Sequence, residues 1–205
     1  MTQMSTHLKR RYLVWDINYR CSYRCSYCRF VHLRLSDYSL KSEEDVLKWV
    51  VAWHRLYGYY GEMFIEISGG EPFMEPLFFM LIKELSREHR LVIKTNLSLP
   101  KAHLKEFIKI ADNKRIGVKS FFHPALADFV DFRDKLRWLR EAGFETDIRY
   151  MAYPAQLEQM GSFRSELRKD GFTLTPVIYW GKYKGEDYPY SYTYEEMRAI
   201  GISDA

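Results

Sequence analysis

Cys21, Cys25 and Cys28 are all the thiols the chain has, and they fall within eight residues in the order Cys-x3-Cys-x2-Cys. An odd number packed so tightly does not make a disulfide framework. Three thiolates on one short irregular loop are a ligand set for a compact metal centre. A four-iron, four-sulfur cubane would take three of its four corners from them and leave one iron open to an external chelator. The same thiolates with His32, four residues beyond Cys28, would also complete a tetrahedral zinc site. A second constellation follows at Ile67-Ser68-Gly69-Gly70-Glu71-Pro72. Its glycine pair lets backbone approach a ligand closely, and the acid directly after it can meet an ammonium group.

These residues need a frame. Runs rich in β-branched and aromatic residues predict strands over 12–18, 63–68, 91–96, 115–121, 144–153 and 172–179. Helical stripes alternate with them. After Ser42 as N-cap, Val46, Trp49, Val50, Trp53, Leu56 and Tyr57 share one face up to Gly58, and a second helix opens near Pro76 with Leu77, Leu81 and Leu85. Further stripes run through Leu104 and Phe107, through Phe132 and Leu136, and through Leu157 and Leu167, with a short last helix over 194–200. Gly143 and Gly171, each before a Phe that opens a strand, suit left-handed helix ends. Strict alternation of six strands with helices predicts an α/β fold with a parallel sheet covered by outer helices. Sites in such folds lie at the C-terminal ends of strands, where both motifs fall.

With 205 residues, 47% of them apolar, the chain can bury a full core as a single domain over 1–205, with a cluster loop at 19–31 and an aromatic tail at 179–205. The balance of 31 basic against 27 acidic residues, without a long basic tract, gives no support to a nucleic-acid partner. There is no signal-peptide pattern and no run of 18 uncharged apolar residues, so a cytoplasmic protein without a membrane span is expected.

Taken together and in this strand order, the cysteine loop and the Gly-Gly-Glu-Pro turn resemble the radical S-adenosylmethionine (radical SAM) superfamily. The resemblance covers essentially the whole chain, because that family's core is a partial (β/α)6, TIM-like barrel. It implies that Cys21, Cys25 and Cys28 ligate a 4Fe-4S cluster and that Gly69, Gly70 and Glu71 hold the methionine ammonium of S-adenosylmethionine. Tyr27 matches a position near the adenine, and Ser120 and Arg149 match residues that bind the ribose and the methionine carboxylate in many relatives. Matches at Thr95 and Asn96 are weaker, since Lys94 stands where relatives often carry an acid and Leu97 replaces a glycine. Val177, Ile178 and His123 are further candidates for cofactor, cluster or substrate contact.

The implied chemistry is reductive cleavage of S-adenosylmethionine to methionine and a 5′-deoxyadenosyl radical that abstracts hydrogen from a substrate. It calls for an electron donor of flavodoxin or ferredoxin type. The segments Ser-Phe-Phe-His-Pro at 120–124, Tyr-Pro-Ala at 153–155 and the tyrosine-rich tail resemble SPASM-type relatives that modify peptides or proteins, so a peptide or protein substrate is implied. Those relatives continue into a cysteine-rich auxiliary domain, whereas here no cysteine follows Cys28, and no auxiliary cluster is expected. Activation of a glycyl-radical protein, a zinc-stabilised binding module, and a barrel that holds the cofactors without turnover are the competing expectations.

Overall fold

The computed structural model describes residues 11–32 and 40–202. Six strands, β1 (Arg11–Asn18), β2 (Met63–Gly69), β3 (Arg90–Thr95), β4 (Ile116–Phe122), β5 (Thr146–Met151) and β6 (Leu174–Val177), form one sheet in sequence order. Every neighbouring pair is parallel. Among the described residues, strands β1 and β6 each have one partner and are the two edges of an open α/β sheet. Helices α1 (Arg29–His32), α2 (Glu43–Tyr60), α3 (Phe78–Leu85), α4 (Lys101–Ile110), α5 (Phe129–Glu141) and α6 (Leu157–Lys169) occupy the connections, and α7 (Tyr194–Ile200) comes last.

Alternation along the strands sorts the two sheet faces. On β4, Ile116, Val118, Ser120 and Phe122 are buried under the helices, and Gly117, Lys119 and Phe121 take the opposite, inner face. Phe122 packs on Phe132 of α5 and Phe163 of α6 at ring distances of 4.9 and 4.7 Å. The same outer layer takes Ile65, Ile67, Leu91, Ile93, Ile148 and Tyr150 into one core with the apolar helix stripes. Helix α2 starts on a reciprocal cap, in which Ser42 Oγ accepts from Asp45 N and Asp45 Oδ2 accepts from Ser42 N, both at 3.2 Å.

Several boundaries differ from the periodicity, and β5 and β6 each begin two residues later and end two residues earlier than expected, so that Phe144 and Phe172 precede their strands. Helix α2 runs through Gly58 to Tyr60, and Gly61 closes it at φ +70° by donating to Tyr57 O. Gly58 faces open space, so its lost propensity does not stop the helix. Helix α3 opens at Phe78, after a 3₁₀ turn over Pro72–Met74. The aromatic tail contains an antiparallel hairpin of β7 (Gly181–Tyr183) and β8 (Glu186–Tyr188). Tyr192 ties the tail down by donating to Ala152 O at 2.5 Å and accepting from Tyr179 N at 3.1 Å. Gly143 and Gly171 do adopt positive φ, at 81° and 74°. No helix among the described residues is long and apolar enough to cross a membrane.

Candidate functional site

A cavity of about 440 Å³ opens at the C-terminal ends of the strands, within the range of small-molecule sites. Cys21, Cys25 and Cys28 all line it, and none is in a disulfide. Gly69 and Gly70 face it from the end of β2, Lys94 and Asn96 from the end of β3 and the residue after it, and Phe121 and His123 likewise from the end of β4. Ile178, Tyr179 and Trp180 complete the wall from the start of the tail.

The cysteine loop is held by main chain first. Cys28 N donates to Cys25 O at 3.0 Å, which turns the loop between the last two thiols. Gly70 N donates to Asn18 O at 2.9 Å and Glu71 N to Arg20 O at 2.7 Å, so the glycine turn is stitched to the strand end that launches the loop. A Cβ on Gly69 would stand 2.2 Å from Asn18 O, and one on Gly70 would stand 2.0 Å from Arg20 O. The glycine pair is therefore demanded by contact between two backbones, beside any ligand it also receives.

Two buried glutamates lock this junction. Glu71 is 1% exposed, and its carboxylate accepts from Thr95 Oγ1 and Asn96 N, both at 2.8 Å, and from Phe73 N at 3.2 Å. Burial pushes its pKa up to about 7 against those three bonds, which favour the charged form. Glu75 Oε1 accepts from Asn18 Nδ2 and from Arg20 Nη2, both at 3.1 Å, and its Oε2 accepts from Leu40 N at 2.8 Å. One carboxylate thus joins chain before and after the cysteines.

Around the sulfurs, Asn96 Nδ2 and Tyr23 N each donate to Cys21 Sγ at 3.4 Å. His123 Nδ1 lies 3.4 Å from Cys25 Sγ and 2.6 Å from Tyr27 Oη. The Tyr27 ring lies nearly parallel to that of His123 and 5.0 Å from Tyr153. Burial pushes the Cys25 thiol up to about 11 and the Cys21 thiol upward as well. Burial also pushes His123 down to about 4, so its ring is neutral near pH 7.

The sequence-predicted residues divide. Cys21, Cys25, Cys28, Tyr27, Gly69 and Gly70 come together on the cavity wall. Glu71 stands behind that wall, its oxygens taken up by the β3 end and the 3₁₀ turn. Ser120 shares the helix-covered face with Phe122 and is fully buried, so it is turned away from the cavity. Arg149 is spent locally, donating through Nε and Nη2 to Asp147 Oδ2 at 2.9 and 2.6 Å, and it does not line the cavity. Sequence reasoning missed Asn18 and Glu75. Their one signal was polarity at a strand end and beside a proline.

Cofactor fit turns on the donor set. Among the described residues, no group of three or more His, Cys, Asp or Glu side chains closes on a single metal ion. A cubane, whose corners stand several ångströms apart, asks for thiols that share a wall, and these three share one. The side chain of His32, the fourth donor of the zinc alternative, lies outside the described residues.

Comparison with known proteins agrees with this geometry. The family model of the Radical SAM superfamily matches residues 15–161. No curated protein matches the chain. Among solved structures, Streptococcus suis SuiB bound to S-adenosylmethionine superposes with a TM-score of 0.67 at 17% identity, covering 93% of this chain and 46% of SuiB. Native anSMEcpe with bound AdoMet and the Kp18Cys peptide gives a TM-score of 0.67 at 14% identity, covering 93% of this chain and 57% of that one. SuiB bound to its precursor peptide SuiA gives 0.59 at 18% identity, covering 82% and 39%. The chain thus spans about half the length of these proteins, and at these identities the likeness establishes the fold.

Proposed function

The chain belongs to the radical SAM superfamily, and from that premise we propose that its cavity holds a 4Fe-4S cluster on Cys21, Cys25 and Cys28 with S-adenosylmethionine beside it. When bound, this pair supplies reductive cleavage of the sulfonium and so a radical able to abstract hydrogen from a substrate. The observation that carries the proposal is that three thiols and the main chain of Gly69 and Gly70 wall one cavity.

The chain's own residues have definable parts in this. The thiols lose their protons on binding iron, which at Cys21 and Cys25 offsets the burial that raises them. Asn96, by donating to Cys21 Sγ, and neutral His123, beside Cys25 Sγ, would tune electron density on two of the three ligands. Gly69 and Gly70 offer backbone without side-chain cover to the amino-acid headgroup, with Glu71 supporting the turn from behind. Tyr27, Phe121, Met151, Ile178 and Trp180 give the cavity an apolar wall suited to a flat base and able to exclude water.

A peptide or protein substrate is supported by the fold likeness to SuiB with its precursor peptide and to anSMEcpe with a peptide. An external one-electron donor of flavodoxin or ferredoxin type completes the scheme. Anaerobic reconstitution with iron and sulfide, followed by dithionite and S-adenosylmethionine, tests the proposal. It expects 5′-deoxyadenosine from the wild type and none from Cys25→Ala. Absence of product from fully iron-loaded wild type would overturn it.

A further inference from the structure

The cavity is electrically one-sided. Its charged wall residues among those described are Arg29 and Lys94, and none is acidic. Arg29 has a side chain 75% exposed, 3.7 Å from Asp16, so that cation already has a counter-charge. Lys94 stands deeper, on β3, paired in register with Lys119 of β4. Asn96, which donates to Cys21 Sγ, lies two residues further along, roughly 7 Å away at the backbone.

Beneath the cavity, neighbouring strands carry five ionic side chains: Glu66, Lys94, Lys119, Asp147 and Arg149. Arg149 is satisfied by its two bonds to Asp147. Glu66 Oε2 accepts from both Lys119 Nζ and Tyr12 Oη, and these bonds with the nearby lysine charges hold its carboxyl below the usual range despite burial. Lys94 Nζ only approaches Glu66 Oε1, at 3.5 Å, and lies 5.2 Å from the Phe121 ring. Three cations against two carboxylates leave one positive charge over. Of the five, Lys94 alone lines the cavity.

A surplus cation in a partly desolvated cleft selects an anion. We infer that Lys94 receives a carboxylate of the substrate, an acidic side chain or a chain terminus, and thereby sets a preference for acidic substrates. This rests on the reading of the cavity as a radical SAM chamber and adds to it the charge of what enters.

The test uses cluster-loaded protein and three synthetic hexapeptide pools, alike except for a fixed central Glu, Gln or Lys. Binding is measured by calorimetry in the presence of S-adenosylmethionine before any reductant, and 5′-deoxyadenosine is measured after it. The Glu pool is expected to bind about tenfold more tightly than the Lys pool. Lys94→Arg keeps that preference, Lys94→Met erases it and Lys94→Glu reverses it; melting temperatures stay unchanged in the Arg and Met variants, in which Glu66 retains Lys119 and Tyr12, and fall in Lys94→Glu, which sets a second carboxylate beside Glu66. Equal binding of the pools, or a preference that survives in Lys94→Met, would overturn the assignment. So would a Lys94→Met variant that loses S-adenosylmethionine affinity while keeping its pool preference, because the carboxylate would then be the cofactor's. Failure of the wild type to form any 5′-deoxyadenosine at full iron loading sinks the underlying reading instead, whereas basal turnover without pool preference sinks only the role of Lys94.

Discussion

At Gly70 a methyl group would meet the Arg20 carbonyl oxygen, an atom fixed by its bond from Glu71 N, so neither partner can give way cheaply. Gly70→Ala is expected to destabilise the metal-free protein by roughly 1–3 kcal/mol in urea titrations and to lower iron uptake with it. Gly58, inside α2 with nothing within 4 Å of its missing Cβ, supplies the control. There Ala should raise stability by about 0.5–1 kcal/mol and leave iron uptake alone. If Gly70→Ala matches the wild type in both measurements, the backbone junction does not need its glycines. His123 and Tyr27 make a different kind of pair, since their 2.6 Å bond fixes the ring beside Cys25. Tyr27→Phe should leave iron content intact but shift the spectrum of the bound cluster, and an unshifted spectrum would remove Tyr27 from the site's support.

The cysteine loop leaves β1 and has little regular structure of its own; its shape comes from what grips its ends. Glu75, with a side chain of 0% exposure, binds Asn18 and Arg20 before the thiols and the Leu40 amide after them. Glu75→Ala should free the loop, so that in metal-free protein Cys21, Cys25 and Cys28 are alkylated several-fold faster while the far-ultraviolet spectrum is kept. Glu75→Gln, which can still accept from one partner, should fall between. Alkylation at the wild-type rate in Glu75→Ala would show that the loop is shaped elsewhere. The elements that carry these residues were largely readable beforehand. Six βα units follow from helical stripes such as Leu104 and Phe107 alternating with β-branched runs, and the grouping of the three thiols on one loop follows from their spacing. Facing was not readable, because one residue of register decides whether Ser120 or Phe121 looks into the barrel. Nor was the clamp at Glu75, since an acid before a proline in sequence resembles any surface turn, and only the tertiary approach of β1 and the 3₁₀ turn reveals its three donors. Arg149 was chosen for a carboxylate, and it found one two residues away, in Asp147.

Taken over the folded chain, two buried groups pull stability in opposite directions with pH. Glu71, raised to about 7, binds its proton more tightly when folded, so its contribution falls as pH rises between the ordinary carboxyl range and 7. His123, lowered to about 4, resists its proton when folded, so its contribution falls as pH drops from 6.5 toward 4. The two slopes offset each other in the wild type. Removing the first by Glu71→Gln should make the metal-free variant gain stability relative to wild type as pH goes from 5 to 7, read from urea midpoints; a difference independent of pH would contradict the burial of an ionisable Glu71. The open barrel serves the same end as these buried groups. Its sheet sets the thiols, the glycine turn and Lys94 around one cavity, and among the described residues β1 and β6 are its edges, with one partner strand each. The central claim is that three thiols leave one iron free to take an amino-acid headgroup. Electron paramagnetic resonance of the reduced, reconstituted protein with and without S-adenosylmethionine addresses it most directly. A four-iron signal that changes shape when S-adenosylmethionine is added is the predicted result. A cluster signal indifferent to it, or bound metal that gives no iron-sulfur signal at all, would contradict the claim.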